Sequence, residues 1–144
     1  MNRGLSIDDE GRFLADGEPV THARTLEALW GGLEAAPGGG WLVRIGRESA
    51  PVAVAETPFV VLGVLEDGPE LRLLVSGGGR ETLDAGTLRV GKDGVLRATL
   101  ASGHAARFSR AAHVALGALL VEDPSAPAGF RLARGDRSWP LGVG

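Results

Sequence analysis

Two stretches decide how this chain folds: Gly46-Arg47-Glu48-Ser49-Ala50-Pro51-Val52-Ala53-Val54, and later Gly135-Asp136-Arg137-Ser138-Trp139-Pro140-Leu141-Gly142-Val143. Gly46, Ser49, Pro51 and Val54 recur at the same spacing as Gly135, Ser138, Pro140 and Val143. An apolar run precedes each stretch, Trp41 to Ile45 in the first and Phe130 to Ala133 in the second. A glycine and polar cluster between two apolar runs signals a hairpin. Proline has no N–H to give to a ladder, so the strand holding Pro51 is expected either to lie at an edge or to be entered only there.

Outward from these hairpins, the element order also repeats. In the first half, Leu5 and Ile7 are separated from Phe13 by the turn Asp8-Asp9-Glu10-Gly11, and Asp16-Gly17-Glu18-Pro19 forms a second turn. Thr21 is the expected N-cap of a helix with Leu26, Leu29, Trp30 and Leu33 on one face, stopped by Pro37-Gly38-Gly39-Gly40. In the second half, Leu88 to Val90 and Val95 to Leu100 flank Lys92-Asp93-Gly94. Ser109 then caps a helix with Val114, Gly117, Ala118 and Val121 at the offsets of the first helix's apolar face, and Pro124 to Gly129 breaks it. Between the halves lie a β-branched run, Phe59 to Val64, and a second apolar run, Leu71 to Val75. Both are assigned to the first half, and Ser76-Gly77-Gly78-Gly79 reads as a linker. The expectation is an α+β fold made of two similar strand–helix–strand units, an internal repeat, with antiparallel sheets and one main helix per unit. The units are placed at residues 1–79 and 80–144, packed together as one compact protein.

Composition narrows the function classes. The 144 residues are 44% hydrophobic and 23% charged, ordinary globular values. With no cysteine, disulfides, thiol catalysis and thiolate metal sites are excluded. No apolar run approaches the roughly 20 residues that cross a bilayer. The opening turns acidic at Asp8-Asp9-Glu10, so a cytoplasmic protein is expected. Lys92 is the only lysine, and the arginine, glycine and alanine content matches a GC-rich bacterial genome. Charge is uneven: residues 1–79 carry 6 Arg and 12 Asp plus Glu, whereas residues 80–144 carry 9 Arg plus Lys and 6 Asp plus Glu. Opposite signs favour packing of the halves, or head-to-tail contact between chains.

The run from Gly46 to Val61, with its Gly-x-Glu-x-x-Pro-Val-x-Val start and Glu56-Thr57-Pro58-Phe59-Val60, resembles a bacterial family, domain-of-unknown-function family 1285. The opening Asp9-Glu10-Gly11-Arg12-Phe13 with Asp16-Gly17-Glu18-Pro19-Val20-Thr21 is similar to the usual start of that family. Ala106-Arg107-Phe108-Ser109-Arg110 resembles its approach to a second helix, and Ser138-Trp139-Pro140-Leu141-Gly142 its ending. The resemblance implies a two-part α+β fold with repeated motifs, no established activity, and a loose association with signalling. The chain departs from the family at Ala112 and His113, where aromatic residues are common, and it has no tyrosine.

Few residues point to chemistry. Glu48 and Glu56 could act as an acid/base pair only if they face each other; otherwise Glu48 caps turn amides or pairs with Arg44 or Arg47. His22, His104 and His113 have no i, i+4 partner, so neither a metal nor a cofactor is expected. Ser49 and Ser138 lack a Gly-x-Ser-x-Gly elbow and read as turn residues. Gly77-Gly78-Gly79-Arg80 lacks the lysine of a phosphate-binding loop. The acidic balance and few aromatics disfavour nucleic acid, although Arg107, Arg110, Arg131, Arg134 and Arg137 could share a face. Trp139 is assigned to the core. The functional expectation is a non-catalytic module for a small molecule or protein partner, with a groove between the repeats lined by Arg12, Arg44 and Glu48. A small hydrolase or transferase using Glu48 or Glu56 is the second reading, and a homodimerisation module the third.

Overall fold

Alternation of apolar and polar residues around tight turns produces most of the architecture. The computed structural model describes residues 4–144. It is a strand-rich α+β structure in which the described residues form three sheets and two short helices. The chain divides into two compact units, Met1–Pro58 and Phe59–Gly144.

The first unit holds one six-stranded sheet. Strands β1 (Leu5–Ile7), β2 (Phe13–Ala15) and β3 (Glu18–Pro19) run antiparallel, followed by helix α1 (Ala23–Gly31). An antiparallel meander then adds β4 (Leu33–Ala35), β5 (Trp41–Ile45) and β6 (Glu48–Val54). β6 lies parallel to β1, with Leu5 opposite Val52 and Ile7 opposite Val54, which closes the order β3-β2-β1-β6-β5-β4. β6 is therefore interior, which leaves the edge reading of Pro51 unfulfilled; the pairing of β6 with β1 is instead entered just after the proline. In a ladder counted from the two-residue turn, Pro51 faces Leu42 in a non-hydrogen-bonded pair, and β1 begins only beside Val52. The missing N–H thus removes no ladder bond. Ile7, Phe13, Leu29, Val43 and Val52 form the core, with the Trp30 ring edge-on to Phe13 at 4.8 Å.

Helix α1 is shorter than its periodicity suggested. His22, not Thr21, is the N-cap, its Nδ1 accepting from the Thr25 N–H at 3.4 Å. Leu33 belongs to β4 rather than to the helix. The break comes at Gly31 and Gly32, where the chain passes close to β5: the Arg44 N–H donates to the Gly32 carbonyl at 2.8 Å. A Cβ on Gly32 would overlap the Arg44 carbonyl oxygen.

The second unit opens with β7 (Val60–Asp67), β8 (Glu70–Val75) and β9 (Gly79–Thr82), an antiparallel set. β10 (Arg89–Val90), β11 (Leu96–Thr99) and β12 (Ala105–Phe108) follow, then helix α2 (Arg110–Gly117). The meander β13 (Leu120–Glu122), β14 (Phe130–Arg134), β15 (Arg137–Pro140) forms a three-stranded sheet, and β16 (Gly142–Val143) returns parallel to β10. β12 pairs in parallel with β7, giving the seven-stranded order β16-β10-β11-β12-β7-β8-β9.

That pairing is why the strands of residues 60–75 belong with the second unit, although the sequence groups them with the first. Ser76–Gly78 is correspondingly a 3₁₀ turn between two paired strands, and Gly79 already opens β9, so the stretch is not a linker. The buried Ser76 hydroxyl accepts from the Val60 N–H at 2.9 Å, tying the turn to β7. Ser109 caps α2 as expected, accepting from the Ala112 N–H at 3.2 Å. The buried stripe of α2 is Ala112 and Leu116, whereas Val114 is 68% exposed. The helix stops at Gly117, well before Pro124, because Leu120 already pairs with Leu132. No described helix is long and apolar enough to cross a membrane.

Candidate functional site

Strand alternation decides which predicted site residues meet. On β5 and β6, Val43, Ile45 and their partners Ala50 and Glu48 share the face that carries the core, whereas Arg44 and Ser49 share the other. Arg44 and Glu48 therefore lie on opposite faces of the sheet. Arg44 is held by Glu34, Nη2 to Oε1 at 3.1 Å, across its own face. Arg12 sits in the β1–β2 turn, beyond the Ile7–Phe13 pair, and binds Asp8 at 2.8 Å. The parallel register of β1 and β6 places that turn beyond Val54, six strand residues or about 20 Å from Glu48. Arg12, Arg44 and Glu48 all belong to the first unit, and its sheet holds them apart.

The same strand separates Glu48 from Glu56. Glu48 starts β6, and Glu56 follows its last residue, Val54, by two positions. Two residues recover at most about 7 Å of the strand's length. The paired-carboxylate arrangement is not formed. Among the basic residues, Arg131 pairs with Val121 and Pro140 on one face of the three-stranded sheet, while Arg134 and Arg137 lie on the other. Arg107 is on β12 and Arg110 on α2, so the five arginines do not share a face. No group of three or more His, Asp or Glu that could hold a metal occurs among the described residues.

A different constellation is assembled in the second unit. The turn Gly135-Asp136 joins β14 to β15 in two residues, and Gly135 takes φ +60°, which suits the first position of a type II′ turn. This fixes the register: Arg134 faces Arg137, and Leu132 faces Trp139. All four side chains consequently point to one face, the face whose Leu132 is fully buried. Together with Pro69 and the first two residues of β8, Glu70 and Leu71, and with residues 82–85 from the end of β9 onward, they line a cavity of about 180 Å³.

Three polar features give the cavity its character. The Arg134 guanidinium is clamped at the hairpin tip of β7 and β8: Nη1 meets Glu66 Oε1 at 2.6 Å, and Nη2 donates to the Gly68 carbonyl at 2.8 Å. Its Nε is buried without a hydrogen-bond partner. The Arg137 guanidinium lies 4.8 Å over the Trp139 ring, a cation–π contact, and has no ion pair among the described residues. Asp84, exposed at the margin, accepts from the Gly86 N–H at 3.3 Å and so caps the 3₁₀ turn at residues 85–87. Leu71, Leu83, Ala85 and Leu132 make the floor apolar. The sequence assigns Trp139 to the core, against which it packs half-buried, and offers Arg134 and Arg137 only for nucleic acid. Their convergence was legible in the alternation Leu132-x-Arg134, two-residue turn, Arg137-x-Trp139.

No protein-family model matches the chain, and no curated protein matches it. Among solved structures, a DUF1285 family protein from Silicibacter pomeroyi DSS-3 superposes with a TM-score of 0.69 at 16% identity, over 97% of this chain and 80% of that one. A DUF1285 family protein from Shewanella baltica OS155 superposes with a TM-score of 0.57 at 16% identity, over 74% of this chain and 84% of that one. The motifs read along the sequence and the backbone thus agree, and this chain has the fold of the DUF1285 family proteins.

Proposed function

We propose that this protein is a non-catalytic ligand-binding module whose second unit takes a small carboxylate through Arg137 and Arg134. The observation that carries this reading is the placement of two arginines and a tryptophan on one hairpin face over an apolar floor. A buried N–H donor without an acceptor costs about 1–3 kcal/mol, so an oxygen reaching Arg134 Nε would relieve that cost. Arg137 supplies the uncompensated charge. Glu70 and Asp84 at the margin disfavour dianions such as phosphate. The volume lies below the roughly 300–1,000 Å³ of sites for drug-sized ligands, which restricts the occupant to a small molecule. Leu132, Leu83 and the Trp139 ring would cover its apolar part.

The order hairpin, helix, meander of residues 5–54 recurs in residues 89–143, each stretch ending in a strand parallel to the one that opens it, β6 to β1 and β16 to β10, which supports reading the two stretches as copies of one motif. On that reading the second copy has acquired the arginines. An association with signalling would follow if ligand occupancy were passed to a protein partner.

Thermal denaturation with benzoate, butyrate and inorganic phosphate tests the proposal. A carboxylate should raise the melting temperature saturably, corresponding to about 2.7 kcal/mol at a hundredfold excess over Kd. Phosphate should not. Arg137→Ala should abolish the effect. A carboxylate effect that survives Arg137→Ala, or no effect of any carboxylate, overturns it.

A further inference from the structure

The core-facing side of the β5–β6 hairpin does not end at the core. Beyond Val43 and Ala50 it continues to Ile45 and Glu48, which face each other across the ladder. Ile45 is 50% exposed although it points to the side that buries Val43. Helix α1 contributes only Leu29 to this region, and β1 contributes Leu5. The result is a groove of about 390 Å³ lined by Leu5, Leu29, Val43, Ile45, Ala50 and the two residues that open β6, Glu48 and Ser49.

Among the described residues, Glu48 is the only charged one of that lining. It has no ion pair among the described residues, in contrast to Glu34, whose arginine lies on the opposite face. We infer that this groove binds a small aliphatic amine, with its ammonium on the Glu48 carboxylate and its chain along Leu5, Leu29 and Ile45. The charge argument selects the occupant. A neutral apolar guest would leave the carboxylate beside hydrocarbon, an anionic guest would be repelled, and an ammonium donates charge-assisted hydrogen bonds to it. The half-exposed Ile45 supplies apolar area that the folded chain leaves in water. The site is independent of the carboxylate site of the second unit, because the two share no residue.

The test uses the full chain, n-hexylammonium chloride as probe, and n-hexanoate and ammonium chloride as controls, followed by calorimetry and by amide chemical shifts. Hexylammonium should bind saturably and shift the amides of Leu29, Val43, Ala50 and Glu48, and the two controls should leave these amides unmoved. Glu48→Gln should weaken binding at least tenfold, and Ile45→Ser severalfold. Both positions are exposed, and a wild-type amide spectrum outside the groove will verify folding. Arg137→Ala should leave hexylammonium binding unchanged, which separates failure here from failure of the carboxylate site. Absence of hexylammonium binding, equal binding by Glu48→Gln, or equal shifts with hexanoate would overturn the inference.

Discussion

At the scale of single residues, two of the ion pairs, Asp8–Arg12 and Asp93–Arg97, are local and legible. Asp93 accepts from Arg97 Nη1 and Nη2 at 3.0 and 2.9 Å and from the Val95 N–H at 3.0 Å. The Arg97 hydrogen bonds, with the Val95 amide, hold its carboxyl well below the usual value of 3.8. Because the folded pKa is depressed, the stability Asp93 contributes is present above about pH 4 and is lost as the pH falls through the folded value. Urea unfolding should therefore find Asp93→Asn less stable than wild type at pH 7, with the gap narrowing below pH ~3; a gap constant from pH 7 to pH 2 would contradict this. Asp8 is balanced differently: burial pushes it up, but hydrogen bonds from the Arg12 amide and guanidinium prevail and lower it. Both pairs were readable as i, i+4 neighbours around Gly-containing turns. Arg134 was not, because its partners, Glu66 and Gly68, come from a remote hairpin.

At the scale of elements, the sequence marks the turns better than the helix ends. The Gly46-Arg47, Gly68-Pro69 and Gly135-Asp136 turns all place a glycine with φ near +60° first, as the II′ geometry requires. The helices obey caps and packing instead of periodicity. Leu33 satisfies the 3.6-residue pattern of α1, yet it pairs with Val43 in β4, because strand pairing buries it as well as helix would. The two caps differ in quality. The Ser109 hydroxyl is buried and 3.2 Å from its N–H, so Ser109→Ala should cost about 1 kcal/mol in chemical denaturation. His22 caps α1 through a longer contact of 3.4 Å, and His22→Asp, which also places a negative charge at the helix N-terminus, should stabilise the protein by roughly 0.5–1 kcal/mol. Destabilisation by His22→Asp would show that the imidazole does more than cap.

At the scale of the molecule, the two units differ in how much core each holds. Sixteen buried residues cluster in Phe59–Gly144, and five in the described part of Met1–Pro58. A domain of about 60 residues buries a smaller fraction of its surface and is marginal. Residues 59–144 expressed alone should therefore unfold cooperatively in urea, whereas residues 1–58 alone should show little protection from hydrogen exchange. Cooperative unfolding of the shorter piece, or none of the longer one, would contradict this assignment of cores. Arg12, Arg44 and Glu48 all belong to the smaller unit and are spread over both faces and both ends of its sheet.

Local chemistry was enough to determine the hairpins, the Ser109 cap, the α+β class and the resemblance to DUF1285 family proteins, since each depends on residues a few positions apart. Tertiary structure alone decided what depends on pairing between distant strands. The parallel pairs β1–β6, β10–β16 and β7–β12 have no turn to announce them, and β7–β12 moved the unit boundary from residue 79 to residue 58. Distant pairing also decided what meets Arg134: the local turn sets it beside Arg137 and Trp139, but only the fold of the second unit brings Glu66 and the Gly68 carbonyl to its guanidinium.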